Sequence, residues 1–163
     1  WGEIMKSELH FLRTYKEFIF VFNMFERNIG YCLRHCVQNR NPKKWLEVSF
    51  DAKVKKLMLL VASVNLTEKF SGLHEDLEKC RRLRNVLVHG EWRWKENQPK
   101  PIHYHCPEIE NEEGYISNSE FDTRLVFLKS VFDNFDRLRD QLEQEIEKTP
   151  NKSAHTTPAI APR

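Results

Sequence analysis

Apolar side chains recur at alternating steps of three and four residues in four stretches of the chain, which is the spacing of a helix that buries one face. The first stretch ends near Val37, before the polar run 38–41, and its apolar positions are Phe11, Tyr15, Phe18, Phe22, Phe25, Ile29, Cys32 and Cys36. The pattern predicts a long first helix that packs along its length against other helices.

The second predicted helix follows the polar run. Asn41 is a suitable N-cap, and Pro42 fits the first helical position because its missing N–H has no partner there. The apolar face of this helix continues from Phe50 to Val64. We predict one continuous helix over this stretch.

The third and fourth predicted helices also carry capping residues. The third begins near Ser71 or Gly72, and we expect Gly90 to end it in the left-handed conformation that glycine tolerates. The fourth begins with a capping box at residues 117–120 and continues to Pro150.

These elements predict an all-α fold, a four-to-five-helix up-and-down bundle over residues 1–148. The insert at about 92–116 contains three prolines, which exclude a continuous helix. It is either irregular or a short β-hairpin that pairs 101–106 with 114–116. Residues 149–163, with Ile160 as their one large apolar side chain, are predicted to be a disordered tail.

Composition narrows the class of protein. The chain has 163 residues, the size of about one domain, and its net charge of +2 excludes a polycation. Five glycines are few for turn-rich β-sandwiches, and no uncharged apolar run is long enough to span a membrane. No secretory leader pattern opens the sequence, and three of the four cysteines fall in apolar helical positions. We therefore expect reduced thiols, a cytoplasmic location and no membrane partner.

Polar residues that packing does not require stand near the end of the third helix. Arg84 borders the buried face, where an unpaired charge is expensive, and Asn85 and His89 share one side of the helix. One interpretation is structural: Arg84 pairs with a core acid, for which Glu26 is the candidate, and His89 is an ordinary helix-end histidine. The other is that these residues form a functional site.

Arg84 and Asn85, followed after three residues by His89 and Gly90, resemble the motif of the HEPN superfamily. That motif is an arginine, a polar residue and a histidine after four to six intervening positions; four lie between Arg84 and His89. Arg82 also has a permitted spacing, but apolar Leu83 follows it. The helix order, the insert and the long fourth helix extend the likeness over about residues 8–148.

The resemblance implies a homodimer in which both motifs meet in a cleft, and commonly a metal-independent endoribonuclease. Such a protein would fit a toxin or defence role, with an antitoxin as a further partner. Some members of the superfamily lack catalytic activity, so the alternative is a helical module that binds nucleotide, nucleic acid or a partner protein.

The chemistry of RNA cleavage suits these residue types. The 2′-hydroxyl attacks the adjacent phosphorus if one group removes its proton and another protonates the leaving oxygen, and histidine serves both tasks near neutral pH. A guanidinium holds the phosphate through paired hydrogen bonds. We therefore predict His89 in proton transfer, Arg84 as the phosphate clamp and Asn85 as an orienting residue, with no cofactor. Two chains would supply His89 twice.

The segment 79–100 carries seven Lys or Arg against two acids, a local charge of +5. RNA is the partner that this charge and the interleaved aromatics favour. The predicted RNA-binding residues are Arg81, Arg82, Trp92, Arg93, Trp94 and Lys95. The two tryptophans alternatively seal one end of the bundle.

Two clusters of metal-ligand residue types also occur. Cys32, His35 and Cys36 lie within one helical turn, and His103, His105 and Cys106 lie in the insert. The two cysteines of the first cluster are on the apolar face, and the chain has no repeated Cys-x-x-Cys pair. We therefore predict no metal site.

Overall fold

The protein is mainly helical in a computed structural model that describes residues 2–37, 44–93, 102–106 and 112–148. The described ranges contain five helices: α1 (Gly2–Cys36), α2 (Lys44–Glu47), α3 (Phe50–Ser63), α4 (Leu73–His89) and α5 (Asn118–Lys148). The predicted start of the second helix, at Asn41 and Pro42, lies outside the described residues, as does the predicted tail 149–163.

Helix α1 is central to the core. It contacts each of the other four helices. Phe18, Phe22, Phe25 and Ile29 are at most 1% exposed, which confirms the predicted apolar face. Tyr15 and Cys36, at its margins, are only partly buried.

The single second helix predicted from the sequence is wrong, because the structure has two helices, α2 and α3, in its place. Ser49 separates them: its backbone is extended, and its hydroxyl accepts a hydrogen bond from the Ala52 N–H at 3.3 Å. A serine in this conformation begins a new helix. Helix α2 lies so close to α1 that a Cβ on Gly30 would stand 2.8 Å from the Trp45 carbonyl oxygen.

The capping predictions concern the C-terminal end of α4 and the N-terminal end of α5. Gly90 follows the last residue of α4, but its φ of −72° and ψ of 144° are extended, so the predicted left-handed conformation is wrong. The chain passes from Gly90 directly into a strand, which requires extended backbone. The predicted capping box is confirmed: Ser117 N–H donates to the Glu120 carboxylate at 2.7 Å, and Glu120 N–H donates to Ser117 Oγ at 3.1 Å.

Among the residues described between α4 and α5 there are three short strands, namely β1 (Glu91–Arg93), β2 (Ile102–Cys106) and β3 (Glu112–Ile116). They form an antiparallel sheet in the order β1-β2-β3, with Trp92 opposite Tyr104 and Ile102 opposite Ile116. The sequence did not predict β1. Since β2 contacts α4 and β1 begins just after Gly90, the sheet adjoins α4.

None of the helices in the described ranges is long and apolar enough to cross a membrane.

Candidate functional site

The structure places Arg84 in contact with both Asn85 and His89 on α4. Arg84 Nη1 donates to Asn85 Oδ1 at 3.2 Å and lies 3.3 Å from His89 Nε2. The three residues predicted as catalytic therefore form one polar cluster.

The direction of the hydrogen bond between Arg84 and His89 follows from chemistry. A guanidinium has only donors, so Nε2 of His89 must be the acceptor. We therefore assign the neutral ring with its proton on Nδ1. Nε2 thus presents its lone pair toward the cation, and a ring nitrogen in this state can accept a proton.

Helix geometry explains why a five-residue spacing still permits contact. Arg84 and His89 are separated by about 140° around a regular helix. Arg84 lies at the edge of the buried face, beside buried Leu83 and Leu87, and its side chain is partly buried. His89 is exposed in the last turn. The long arginine side chain spans the difference in angle, and a shorter cation at position 84 would not.

A cavity of about 300 Å³ adjoins this cluster between α1, α3 and α4. Arg84, Asn85 and Arg81 line one side of it, and the other lining residues are Phe22, Glu26, Ser49, Phe50 and Asp51. The cavity therefore combines two guanidinium groups with two carboxylates, and its chemistry suits a polar ligand.

The predicted pairing of Glu26 with Arg84 is not what the structure shows. Glu26 Oε1 accepts a hydrogen bond from Lys53 Nζ at 2.8 Å, within an ion pair in which Lys53 is 3% exposed and Glu26 26%. The reason is position: Lys53 projects into the core from α3, where an unpaired ammonium is costly. Glu26 still lines the cavity that Arg84 borders.

Two of the three predicted RNA-binding arginines, Arg81 and Arg82, lie on different sides of α4. Arg81 lines the 300 Å³ cavity and forms an ion pair with Glu78 at 2.8 Å. Arg82 instead lines a second depression, of about 440 Å³, between α4 and α5. We call this depression the α4/α5 groove; it is lined by Lys79, Arg82, Leu83, Val86, Thr123, Arg124 and Phe127.

The contribution of α5 to this groove was not predicted from the sequence. Arg124 and Phe127 lie far along the chain from Arg82, and no local pattern relates them. The sequence signal for this contribution was weak, because Arg124 and Phe127 lie off the predicted apolar face of α5. In the structure both side chains are only partly exposed.

The remaining predicted RNA-binding residues follow α4. Trp92 and Arg93 are on β1. Trp94 and Lys95 lie outside the described residues.

The cysteines of α1 form a thiol pair. The Sγ atoms of Cys32 and Cys36 are 3.9 Å apart. Their shared hydrogen bond raises the pKa of the buried Cys32 thiol and lowers that of Cys36. His35, the third member of the first cluster considered for metal, is exposed, and His103, His105 and Cys106 are on β2. In the part of the chain that the structure describes, no group of three His, Cys, Asp or Glu residues is placed to hold a metal ion.

Comparisons with protein-family models, with curated proteins and with solved structures gave no match to this chain. The geometry and chemistry of the site are therefore the basis for a functional assignment.

Proposed function

We propose that this chain is a HEPN-like protein with an up-and-down helical bundle, and that it cleaves RNA as a homodimer without a metal ion. One observation supports the proposal above the others: Arg84 Nη1 lies within hydrogen-bond distance of both Asn85 Oδ1 and His89 Nε2. A guanidinium next to an accepting imidazole is the pair of groups that phosphodiester cleavage by a ribose hydroxyl needs.

The proposed reaction is an internal transfer. Nε2 of His89 removes the proton from the 2′-hydroxyl, and the 2′-oxygen forms a bond to phosphorus. The bond from phosphorus to the 5′-oxygen breaks, and this oxygen takes a proton from a general acid. The products are a 2′,3′-cyclic phosphate and a 5′-hydroxyl, so no water or metal enters this step.

In the proposed reaction, Arg84 exchanges its contact with His89 for one with the substrate phosphate. A bound phosphate competes for the guanidinium because a charge-assisted, paired hydrogen bond is stronger than a bond to a neutral ring. When Arg84 turns to the phosphate, it releases the lone pair of Nε2. Asn85 keeps the guanidinium at the edge of the helix through its side-chain oxygen.

The homodimer supplies the general acid. One chain provides one His89, and proton removal and proton donation need two groups in opposite protonation states. A second copy related by a twofold axis contributes its own His89 and Arg84 to the same cleft. A toxin or defence role in the cytoplasm, with an antitoxin as protein partner, follows from the same resemblance.

Cleavage of mixed cellular RNA in excess chelator tests the proposal. The wild-type protein is compared with His89→Ala and Arg84→Ala, and we expect each substitution to reduce the rate by at least about 100-fold. The matched control is His74→Ala, because His74 is an exposed histidine on the same helix, about 22 Å along the axis from His89. Its activity should equal that of the wild type.

Two results would contradict the proposal. The first is wild-type protein that leaves all RNA intact, and the second is a His89→Ala variant that is as active as His74→Ala. Sedimentation analysis tests the composite site separately: a protein that is monomeric at assay concentration and cleaves at full rate needs no second His89.

A non-catalytic binding module is the second candidate. The observation in its favour is that Arg81, Arg84 and Asn85 line the 300 Å³ cavity, whereas His89 is not among its lining residues. A phosphate-bearing nucleotide held there would contact the arginines without the imidazole. Calorimetric titration with a nucleoside triphosphate distinguishes the two: binding that Arg81→Gln weakens, in a protein without cleavage activity, supports the module.

A further inference from the structure

The α4/α5 groove combines apolar walls with a cationic rim. Its apolar side chains are Leu83, Val86 and Phe127, and its cations are Lys79, Arg82 and Arg124. No Asp or Glu is among the residues that line it in the described part of the chain. This composition differs from that of the 300 Å³ cavity, in which two carboxylates accompany the two arginines.

The cations of the groove are not equivalent. Lys79 Nζ is 3.0 Å from Glu75 and 3.7 Å from Asp76, so two carboxylates offset its charge. Arg124 interacts with the Glu120 carboxylate at longer range, and that carboxylate is held mainly by Ser117. Within the described part of the chain, the charge of Arg124 is therefore less closely offset by carboxylates than that of Lys79.

The groove and the 300 Å³ cavity lie on opposite sides of α4, and the exposed side of the helix lies between them. Arg82, Asn85 and His89 are spaced by three and four residues and so follow one side of the helix. The axial distance from Arg82 to His89 is about 10 Å. The ridge of α4 thus has Arg84 and the 300 Å³ cavity on one side and the α4/α5 groove on the other.

We propose that the α4/α5 groove binds a nucleotide of the RNA substrate that flanks the cleaved phosphate. This inference rests on the proposed function and extends it by assigning the path of the strand. The base stacks against Phe127 between the apolar walls, and the flanking phosphate pairs with Arg82 and Arg124. A phosphate alone would leave the apolar walls unused, and an uncharged apolar ligand would leave the cations unused.

Binding of a fluorescent single-stranded RNA whose 2′-oxygens are methylated tests the groove, since such a strand cannot attack its own phosphate. Arg124→Gln should weaken binding about tenfold and reduce the slope of log affinity against log salt by about 0.7. Phe127→Leu keeps an apolar side chain but removes the aromatic face, and it should weaken binding by about fivefold or more. The matched control is Arg137→Gln, an exposed arginine on α5 that does not line the groove, which should bind as the wild type does.

Cleavage kinetics provide the second measurement. The groove holds a flanking nucleotide and not the reacting atoms, so Arg124→Gln should raise KM and leave kcat within about twofold, unlike His89→Ala. If Arg124→Gln and Phe127→Leu bind and cleave RNA as Arg137→Gln does, the groove is not on the RNA path. Equal affinity for a strand that lacks its bases would refute the stacking role. These results overturn the inference alone, whereas a wild type that neither binds nor cleaves RNA overturns the proposed function as well.

Discussion

The ion pair between Lys53 and Glu26 tests how strongly a buried charge and its partner affect the free energy of unfolding. Lys53 Nζ is 2.8 Å from Glu26 Oε1, and the two side chains differ in exposure, at 3% and 26%. Glu26→Leu leaves a buried ammonium without its carboxylate. Removing one partner of a buried pair costs about 3–5 kcal/mol, and we expect about 3 kcal/mol here because Glu26 itself is partly hydrated.

The reverse substitution should be milder. Lys53→Met removes the buried charge and keeps an unbranched chain of similar length, while water reaches the Glu26 carboxylate that remains. We expect a loss of about 1 kcal/mol. The double variant Glu26→Leu/Lys53→Met replaces the pair by apolar groups and should be close to the wild type in stability. The double-mutant cycle should therefore yield a coupling energy of about 4 kcal/mol in magnitude.

Urea denaturation followed by circular dichroism measures these differences in the free energy of unfolding. The matched control is Lys55→Met, because Lys55 pairs with Asp51 at the same 2.8 Å on the surface, with 72% and 47% exposure. We expect it to cost much less than Glu26→Leu, because an ion pair between exposed side chains is screened by water and contributes little. If Glu26→Leu costs no more than Lys55→Met, the Lys53 ammonium must be hydrated, and burial does not determine the energy of the pair.

Three further predictions concern single positions. Gly30→Ala should destabilise the protein by about 1 kcal/mol despite a gain in helix propensity, because the new methyl group would stand 2.8 Å from a backbone oxygen of α2. The control in thermal melts is Gly72→Ala, because a Cβ at Gly72 would meet no heavy atom within 4 Å. Glu120→Gln should cost about 0.3–1 kcal/mol at neutral pH, because glutamine keeps an acceptor for Ser117 but removes the negative charge from the helix N-terminus. Ser117, the capping serine, holds the pKa of the Glu120 carboxyl below its ordinary value of 4.5. The stabilisation by the Glu120 carboxylate is therefore present above pH 4.5 and is lost as the pH falls through the folded-state pKa. Urea titrations at pH 7 and pH 3 measure the cost of the substitution, and an equal cost at both pH values contradicts the assignment. At pH 7 iodoacetamide should modify Cys36 faster than Cys80, because the neighbouring thiol of Cys32 lowers the pKa of Cys36 and burial raises the pKa of Cys80 to about 12. Peptide mapping measures the two rates, and equal rates would refute the assignment.

Part of the candidate site could be predicted from local spacing. Arg84, Asn85 and His89 lie on one short stretch of one helix, and their contacts depend on helix geometry and side-chain length. The partner of Glu26 could not be predicted, because Lys53 is on another helix and breaks the expectation that a lysine is exposed. The dimer on which the proposed reaction depends remains a prediction.

The sequence by itself determined the apolar faces of α1, α3, α4 and α5, because the alternating spacing of apolar residues is present in each stretch of sequence alone. It also determined the capping box at Ser117 and the end of α4 at His89. Only the tertiary structure decided what lies beside each helix: the break at Ser49, the burial of Lys53, and the groove in which Arg82 meets Arg124 and Phe127. Such contacts join residues distant in the chain, and their register depends on how whole helices pack, which no local pattern encodes.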